Sequence, residues 1–297
     1  MKVQSGAHTR VPIILRTVFL LLMSKKMLLR DFRAVRRVLQ ASDFAYAPGP
    51  KIRPVKDLVD KRTWRYLQTL PDTVSIFTSN DHGTDLRLLA DLWGDWMEKI
   101  PIDNGAVHRA SLVATDEFQA AMFNALHGFY RVAADCLRSA LEQMTIAVDC
   151  QLRGDNAETK AWLEGDVLLL FGRACDDLQG RYKKSRLRRI FQQDDGKNDA
   201  GWLRGLHQAL SDYSHARPGF DALKMWEGSN GPIYVKSAFL WNVKMWLFTY
   251  ATCVILLRVA YPATPNVGGI FAQKLVADIG VLRKASDFLW ESKNRIR

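Results

Sequence analysis

The amino-acid sequence predicts a mostly α-helical protein, a multi-helix bundle preceded by a basic N-terminal helix. Apolar residues recur at three- to four-residue spacing in several long segments, as in helices that bury one face. Only 10 prolines and 19 glycines interrupt the 297 residues, of which 48% are hydrophobic and 25% charged. This is the composition of an ordinary globular protein, and the chain is long enough to bury a substantial core. The sequence also allows one short β element before residue 85.

Positive charge is concentrated near the N-terminus. The chain carries a net charge of +11, and residues 1–62 contain fourteen lysines and arginines but only four acidic residues. Residues 25–40 combine apolar side chains at helical spacing with arginines, which predicts an amphipathic helix that ends before Pro48-Gly49-Pro50. We therefore divide the chain into a basic N-terminal helical segment, residues 1–50, and a helical bundle domain, residues 51–297, with a mixed lead-in over 51–84. The basic segment indicates an anionic partner, either a nucleic acid or a membrane surface.

Two apolar runs resemble membrane segments but are interrupted by polar residues. Residues 11–23 contain Arg16 and are not followed by a small-residue cleavage site, and residues 238–257 contain an asparagine and a lysine. A central bundle helix that is apolar on all sides gives the same signal as the second run. We expect a cytoplasmic protein. Contact of the N-terminus with a membrane surface stays open, as does Met23 as an alternative start.

The segment ahead of the bundle has mixed character. Residues 73–78 (Thr-Val-Ser-Ile-Phe-Thr) are rich in β-branched and aromatic side chains, which predicts a short strand, and residues 79–83 are typical of a turn. Residues 85–99 return to helical spacing. The longest predicted helix covers residues 116–152 and ends at Arg153-Gly154-Asp155.

Four further helices complete the predicted bundle. Helical periodicity predicts them over residues 158–178, 202–215, 234–259 and 271–291, and the third is apolar on all sides. Glycine and polar residues predict connections over residues 192–200 and 226–234.

A charged stripe lies on the face of the 116–152 helix opposite its apolar side. It contains Arg131, Asp135, Arg138 and Glu142, with neighbours three or four residues apart. Such a stripe is either a solvated face of ion pairs or one polar wall of a cleft.

The densest group of reactive side chains lies at the end of the 202–215 helix. Ser211 and His215 are one helical turn apart, so that the hydroxyl and the imidazole can face one ligand, and Arg217 can bind a phosphate in a bidentate way. RNA cleavage by proton transfer requires such a base beside a cation. We therefore assign His215 as the acid/base group, Arg217 or Arg138 as the group that stabilises phosphate charge, and Glu142 as the residue that orients a partner. The alternative is a helix C-terminus stabilised by cations against the dipole.

A basic run provides candidate contacts to nucleic acid. Residues 181–189 contain six cations and no acidic residue, and Tyr182 among them can stack on a base. The same run is also typical of a solvated surface. The six cations are Arg181, Lys183, Lys184, Arg186, Arg188 and Arg189.

No metal site and no cofactor are expected. The six histidines are scattered, and the sequence contains neither a Cys-x-x-Cys pair nor a glycine-rich phosphate loop. The four cysteines, Cys136, Cys150, Cys175 and Cys253, are expected to be reduced thiols, and three of them lie in apolar helical patterns.

Three blocks occur in a characteristic order. Leu137-Arg138-Ser139-Ala140-Leu141-Glu142 is followed by Ala161-Trp162-Leu163-Glu164-Gly165 and then by Leu210-Ser211-Asp212-Tyr213-Ser214-His215, ahead of a closing hydrophobic helix. In this order, over roughly residues 116–260, the chain resembles bacterial proteins of the HEPN-like helical superfamily.

The resemblance implies a helical bundle, often a homodimer, and activity as a metal-independent ribonuclease in phage defence or toxin–antitoxin systems. Active members carry an arginine four to six residues before the catalytic histidine, whereas residues 208–211 of this chain are Gln-Ala-Leu-Ser. Two alternatives to an RNA-binding or RNA-cleaving protein stay open. One is a non-catalytic helical protein-interaction module, and the other is a peripheral membrane protein.

Overall fold

The computed structural model describes residues 60–103, 105–154, 156–192, 201–214, 232–262 and 269–291. All but the first two of them belong to one compact unit, Arg62–Arg297. The predicted N-terminal helix and the segment that contains His215 and Arg217 lie outside the described residues. Within the described residues every regular element is a helix, which confirms the mostly α-helical, multi-helix class.

The helices follow one another in a simple order, and two π-helical turns extend the first and the last of them. They are α1 Lys61–Trp64 with the π-helical turn Arg65–Thr69, α2 Leu70–Lys99, α3 Ala106–Leu126, α4 Tyr130–Arg153, α5 Ala157–Glu164, α6 Phe171–Tyr182, α7 Arg188–Phe191, α8 Trp202–Ser214, α9 Lys236–Ala260, α10 Gly269–Asp278, and α11 Arg283–Ser286 with the π-helical turn Asp287–Glu291.

Helix α4 occupies the centre of the bundle. It packs against α3, α9, α8 and α6, and its Leu137, Leu141 and Met144 are fully buried. The largest side chains of the core stand on its neighbours. Burial of such residues supplies most of the stability of a bundle, about 1.5–3 kcal/mol for each fully buried large apolar side chain.

Helix α9 carries much of that core. Its Trp246 and Tyr250 stack with ring centroids 5.3 Å apart, and Phe118 of α3 lies 5.0 Å from the Trp246 ring. The prediction of an apolar helix over residues 234–259 is confirmed, with nearly the same ends. By length and composition α9 is the one described helix that could cross a membrane, and 83% of its most apolar window is buried within the described structure.

The predicted strand over residues 73–78 is wrong, because these residues belong to α2. The buried side chains there are Val74 and Thr78, four residues apart, and the Thr78 hydroxyl donates to the Val74 carbonyl at 2.9 Å. Helical packing of this one face overrides the β-branched composition. The predicted turn over 79–83 is also helical, apart from a kink at His82 (φ −132°, ψ 23°).

The predicted helix over residues 116–152 is in fact two helices. The chain turns back between α3 and α4 at Gly128, whose φ of +83° is a left-handed conformation that favours glycine. A Cβ at this position would lie 2.6 Å from the carbonyl oxygen of Ile233, so the turn also packs too closely for a side chain. The apolar spacing continues through the turn, which is why periodicity alone predicted a single helix.

Two more predicted helices are interrupted. The 158–178 helix is divided into α5 and α6, because Gly165 ends α5 in a left-handed conformation with φ +85°. The 271–291 helix is divided by a turn at residues 279–282. In both cases the apolar pattern predicted the buried residues but not the interruption.

Arg258 of α9 is only 2% exposed and holds the end of the described chain. Its guanidinium donates to the Leu289 carbonyl from Nε at 3.3 Å and Nη2 at 3.1 Å, and from Nη1 to the Tyr261 carbonyl at 3.3 Å. Burial lowers the pKa of the guanidinium. The backbone carbonyls of Leu289 and Tyr261 therefore replace water that a buried cation loses.

Candidate functional site

Three of the polar side chains at the centre of the bundle converge between α4 and α8. Nε2 of His207 lies 2.7 Å from Oε1 of Glu142, and Nε of Arg138 lies 3.7 Å from the same oxygen. Arg138 also donates from Nη2 to Asp135 at 2.8 Å. The side chains of Arg138, Glu142 and His207 are 23%, 33% and 24% exposed, so a ligand can reach them. We call these three residues the dyad cluster, after the pair formed by Glu142 and His207, with Arg138 beside it.

The imidazole of His207 is fixed on two sides. Glu142 binds one ring nitrogen, and the ring stacks on Phe171 at the start of α6 with centroids 4.1 Å apart and planes 18° apart. A carboxylate that accepts the Nε2 proton leaves Nδ1 as the lone-pair nitrogen of a neutral imidazole. No described residue is hydrogen-bonded to Nδ1, so this nitrogen can accept a proton from a ligand.

One helical turn before His207, a second ion pair joins α8 to α6. Nη2 of Arg204 lies 2.6 Å from Asp176 and 3.2 Å from the Gly172 carbonyl. These contacts hold α8 against α6, and they therefore support the stacking of His207 on Phe171.

The predicted catalytic residues are only partly brought together. Arg138 and Glu142 are neighbours as the stripe predicts, whereas His215 and Arg217 lie outside the described residues, and their assignment stays a prediction. Ser211 is 8% exposed and lies one turn after His207 on α8. The cation that the structure places at the end of α8 is Arg131, which donates to the Ser214 carbonyl at 2.8 Å.

His207 is a partner of the stripe that the sequence pattern did not predict. His207 follows Arg204 by three residues and precedes Ser211 by four, so these polar side chains share one edge of α8. This shared edge was a signal in the sequence that could have pointed to His207. The sequence could not indicate that it faces Glu142, which is 65 positions away.

The basic run lies where α6 turns into α7, and its six cations are all exposed. The turn is anchored from below by Leu187, Ile190 and Phe191, which are buried, and Tyr182 packs on Phe191 with centroids 5.5 Å apart. Among the described residues, no carboxylate lies within 4 Å of any of the six cations. We call this group the basic corner: Arg181, Lys183, Lys184, Arg186, Arg188 and Arg189.

The cysteines of the described residues offer no activated nucleophile. Burial, with the Glu117 carboxylate nearby, raises the pKa of Cys136 to about 12, and burial raises the pKa of Cys175 to about 12. Burial also raises the pKa of Cys150 and of Cys253. All four are free thiols, and within the described part of the chain no group of three or more His, Cys, Asp or Glu residues could hold a metal ion.

Comparison of the chain with protein-family models, with curated proteins and with solved structures finds no match.

Proposed function

We propose that the protein binds RNA through the basic corner and cleaves it, without a metal ion, at the dyad cluster. The observation that carries the proposal is the basic corner itself, six exposed cations with no carboxylate of a described residue within 4 Å. Cations already paired with carboxylates gain little from a phosphate, whereas unpaired ones release the counterions that surround a nucleic acid. The proposal includes a biological role in phage defence or in a toxin-type stress response.

Helix α6 connects the two parts of the proposed RNA site. Phe171, which stacks on His207, is its first residue, and Arg181 of the basic corner is its next-to-last. Ten residues of α-helix separate them, which is about 15 Å at 1.5 Å per residue. A single strand that follows α6 would span this distance with a few nucleotides, its backbone on the basic corner and one ribose at His207.

The proposed reaction is transfer of a phosphodiester to the neighbouring ribose hydroxyl. Nδ1 of His207 takes the 2′-hydroxyl proton, the 2′-oxygen bonds to phosphorus, and the bond to the 5′-oxygen breaks with its electron pair. Water protonates the departing 5′-oxygen, which leaves a 2′,3′-cyclic phosphate. Glu142 holds the imidazole and stabilises the imidazolium that forms, and Arg138 stabilises the negative charge that develops on the phosphate oxygens.

Binding is tested with labelled single-stranded RNA over a range of salt concentrations. Six phosphate contacts predict that log Kd rises with log salt with a slope of about 4, and reversal of three cations lowers both the affinity and the slope, to about 2. The control reverses three exposed lysines elsewhere, so that the net charge is the same. If both variants bind as the wild type does, RNA binding at the basic corner is excluded. The test variant is Lys183→Glu, Lys184→Glu, Arg186→Glu, and the control is Lys236→Glu, Lys274→Glu, Lys284→Glu.

Cleavage is tested by incubating the same RNA with excess chelator and analysing the product ends. We expect 2′,3′-cyclic phosphate ends, and a loss of about 100-fold or more in rate for His207→Gln, since a general base contributes 10²–10⁴-fold. His127→Gln, on the turn between α3 and α4, is the control. Loss of cleavage in His215→Ala but not in His207→Gln would return the catalytic role to His215. RNA that stays intact with the wild type removes the cleavage proposal and leaves the binding proposal to its own test.

A further inference from the structure

Large apolar side chains are exposed mainly at one end of the bundle. Among the described residues sixteen such side chains are exposed, and eight of them occur between residues 64 and 77 or between residues 123 and 132. The two groups are neighbours, because a Cβ on Gly128 would lie 3.1 Å from Cγ1 of Val74. We call these eight residues the apolar end: Trp64, Tyr66, Leu67, Ile76, Phe77, Phe123, Phe129 and Val132.

The helix that carries the first three of these residues extends beyond the core. No residue between 61 and 69 is buried, and the first buried side chains along the helix are those of Pro71 and Val74. Nine residues of helix measure about 13 Å at 1.5 Å per residue. Leu67 lies on this extension and is 70% exposed. Because burial of such side chains is favourable, a contiguous exposed group of them marks a contact surface.

The extension carries positive charge on the side opposite its apolar residues. Trp64 and Leu67 are three positions apart and share one side of the helix, and the same holds for Arg62 and Arg65. Each arginine precedes one of the apolar residues by two positions, and residues two apart on a helix point in nearly opposite directions. The extension is therefore amphipathic. Residues 61–71 contain three cations and no acidic residue.

The charge beside the apolar end favours an anionic partner over a second copy of the chain. The acidic residues on either side of the extension are Asp60 and Asp72, and Asp72 accepts a hydrogen bond from Gln68 at 2.8 Å. Residues 1–62, which lead into the extension, contain fourteen lysines and arginines against four acidic residues. Two copies that met at this end would bring these like charges together, whereas an anionic surface attracts them.

A phospholipid surface is the anionic partner that also covers the apolar side chains. The phosphates of RNA could pair with the cations, but they would leave leucine, isoleucine and phenylalanine in water. At a bilayer the apolar side chains enter the boundary of the acyl chains, and the long arginine side chains reach the headgroups. Tryptophan and tyrosine, which the extension contributes as Trp64 and Tyr66, are enriched at this interface.

We propose that the apolar end docks the protein on a membrane surface that contains anionic phospholipids. Trp64 and Leu67 enter the interface, and Arg62 and Arg65 contact lipid phosphates. Phe123 and Phe129, at the turn between α3 and α4, lie at the same end of the bundle and add apolar contact. The apolar end shares no residue with the basic corner or the dyad cluster, so this proposal does not depend on the proposed RNA site.

The test is sedimentation of the full-length protein with vesicles of phosphatidylcholine and phosphatidylserine, mixed about two to one. The double variant Trp64→Ser, Leu67→Ser should bind at least about tenfold more weakly, because burial of even one large apolar side chain contributes about that factor. Arg62→Gln, Arg65→Gln should bind about 25-fold more weakly, at about fivefold per cation, with no change on pure phosphatidylcholine. The control of equal charge is Lys274→Gln, Lys284→Gln, which removes two exposed cations of α10 and α11.

The melting temperature of Trp64→Ser, Leu67→Ser should equal that of the wild type, since no residue between 61 and 69 is buried. Vesicle binding that neither double variant weakens overturns the proposal. A lower melting temperature with unchanged vesicle binding also overturns it, because another part of the protein would then cover the apolar end. The same holds if the lysine control loses as much binding as the arginine variant, or if the arginine variant loses affinity for RNA but not for vesicles.

Discussion

At the scale of single residues, the contact that completes the candidate site is tertiary. Glu142 was predicted from its place in a charged stripe, and its neighbour Arg138 follows from helical spacing. The residue that contacts Glu142 from another helix, His207, lies 65 positions further along the chain. Spacing along one helix therefore predicted two of the three residues of the dyad cluster, and the packing of α8 on α4 supplied the third.

Replacement of Gly128 should lower the stability of the fold directly. Gly128→Ala places a Cβ 2.6 Å from the Ile233 carbonyl and forces an L side chain to φ +83°. The left-handed conformation alone costs about 1–2 kcal/mol, and the close contact adds to it. We expect urea denaturation to show a loss of at least that size.

Gly94→Ala is the matched control. Gly94 lies within α2, and a Cβ there meets no atom within 4 Å. Alanine is about 1 kcal/mol more favourable than glycine inside a helix, so this variant should be as stable as the wild type or more stable. If both variants lose stability equally, the turn between α3 and α4 does not require glycine.

At the scale of elements, apolar periodicity predicted which residues are buried better than where helices end. Helix α9 was predicted with nearly its observed ends, because an all-apolar run bounded by polar residues has few alternatives. The prediction of a single helix over 116–152 was wrong at Gly128, since the apolar spacing continues across the turn and a single glycine is tolerated in many helices. The prediction of a strand over 73–78 was wrong because Val74 and Thr78 pack on the same face of a helix. A short β-branched run does not indicate that packing.

A network of ion pairs joins α5 to its neighbours and should make their docking sensitive to acid. Glu158 of α5 binds Arg173 of α6 at 2.6 Å and Arg153 of α4 at 2.5 Å. The hydrogen bond from Arg173 and that from Arg153 lower the pKa of Glu158, against the opposing effect of desolvation. A lowered pKa stabilises the fold above the ordinary glutamate value, about 4.3, and this stabilisation is lost as the pH falls through the lowered pKa.

The Arg173→Gln variant isolates this effect. We expect it to be less stable than the wild type at pH 7, and the difference between the two in chemical denaturation to decrease below about pH 4.3. Lys184→Gln removes an exposed cation without changing the network and serves as the control. A difference that grows as the pH falls would show that Arg173 acts by something other than its bond to Glu158.

At the scale of the whole molecule, α6 contributes residues to the surroundings of both the dyad cluster and the basic corner. Its first turn holds the stacking partner of His207, its last turn begins the basic corner, and its buried face packs on α4. The sequence predicted the cations of the basic corner as a group because a run of like charges is local. It could not predict their position relative to the dyad cluster, because that depends on how α6 and α8 pack on α4.

The hydrogen bonds from Arg258 to the final π-helical turn have a practical consequence for the design of shortened variants. A truncation ahead of Leu289 deletes the carbonyl that accepts two hydrogen bonds from the Arg258 guanidinium. The buried positive charge of Arg258 then lacks those two acceptors. Purification tags and fusion partners are therefore better appended beyond the last turn than substituted for it.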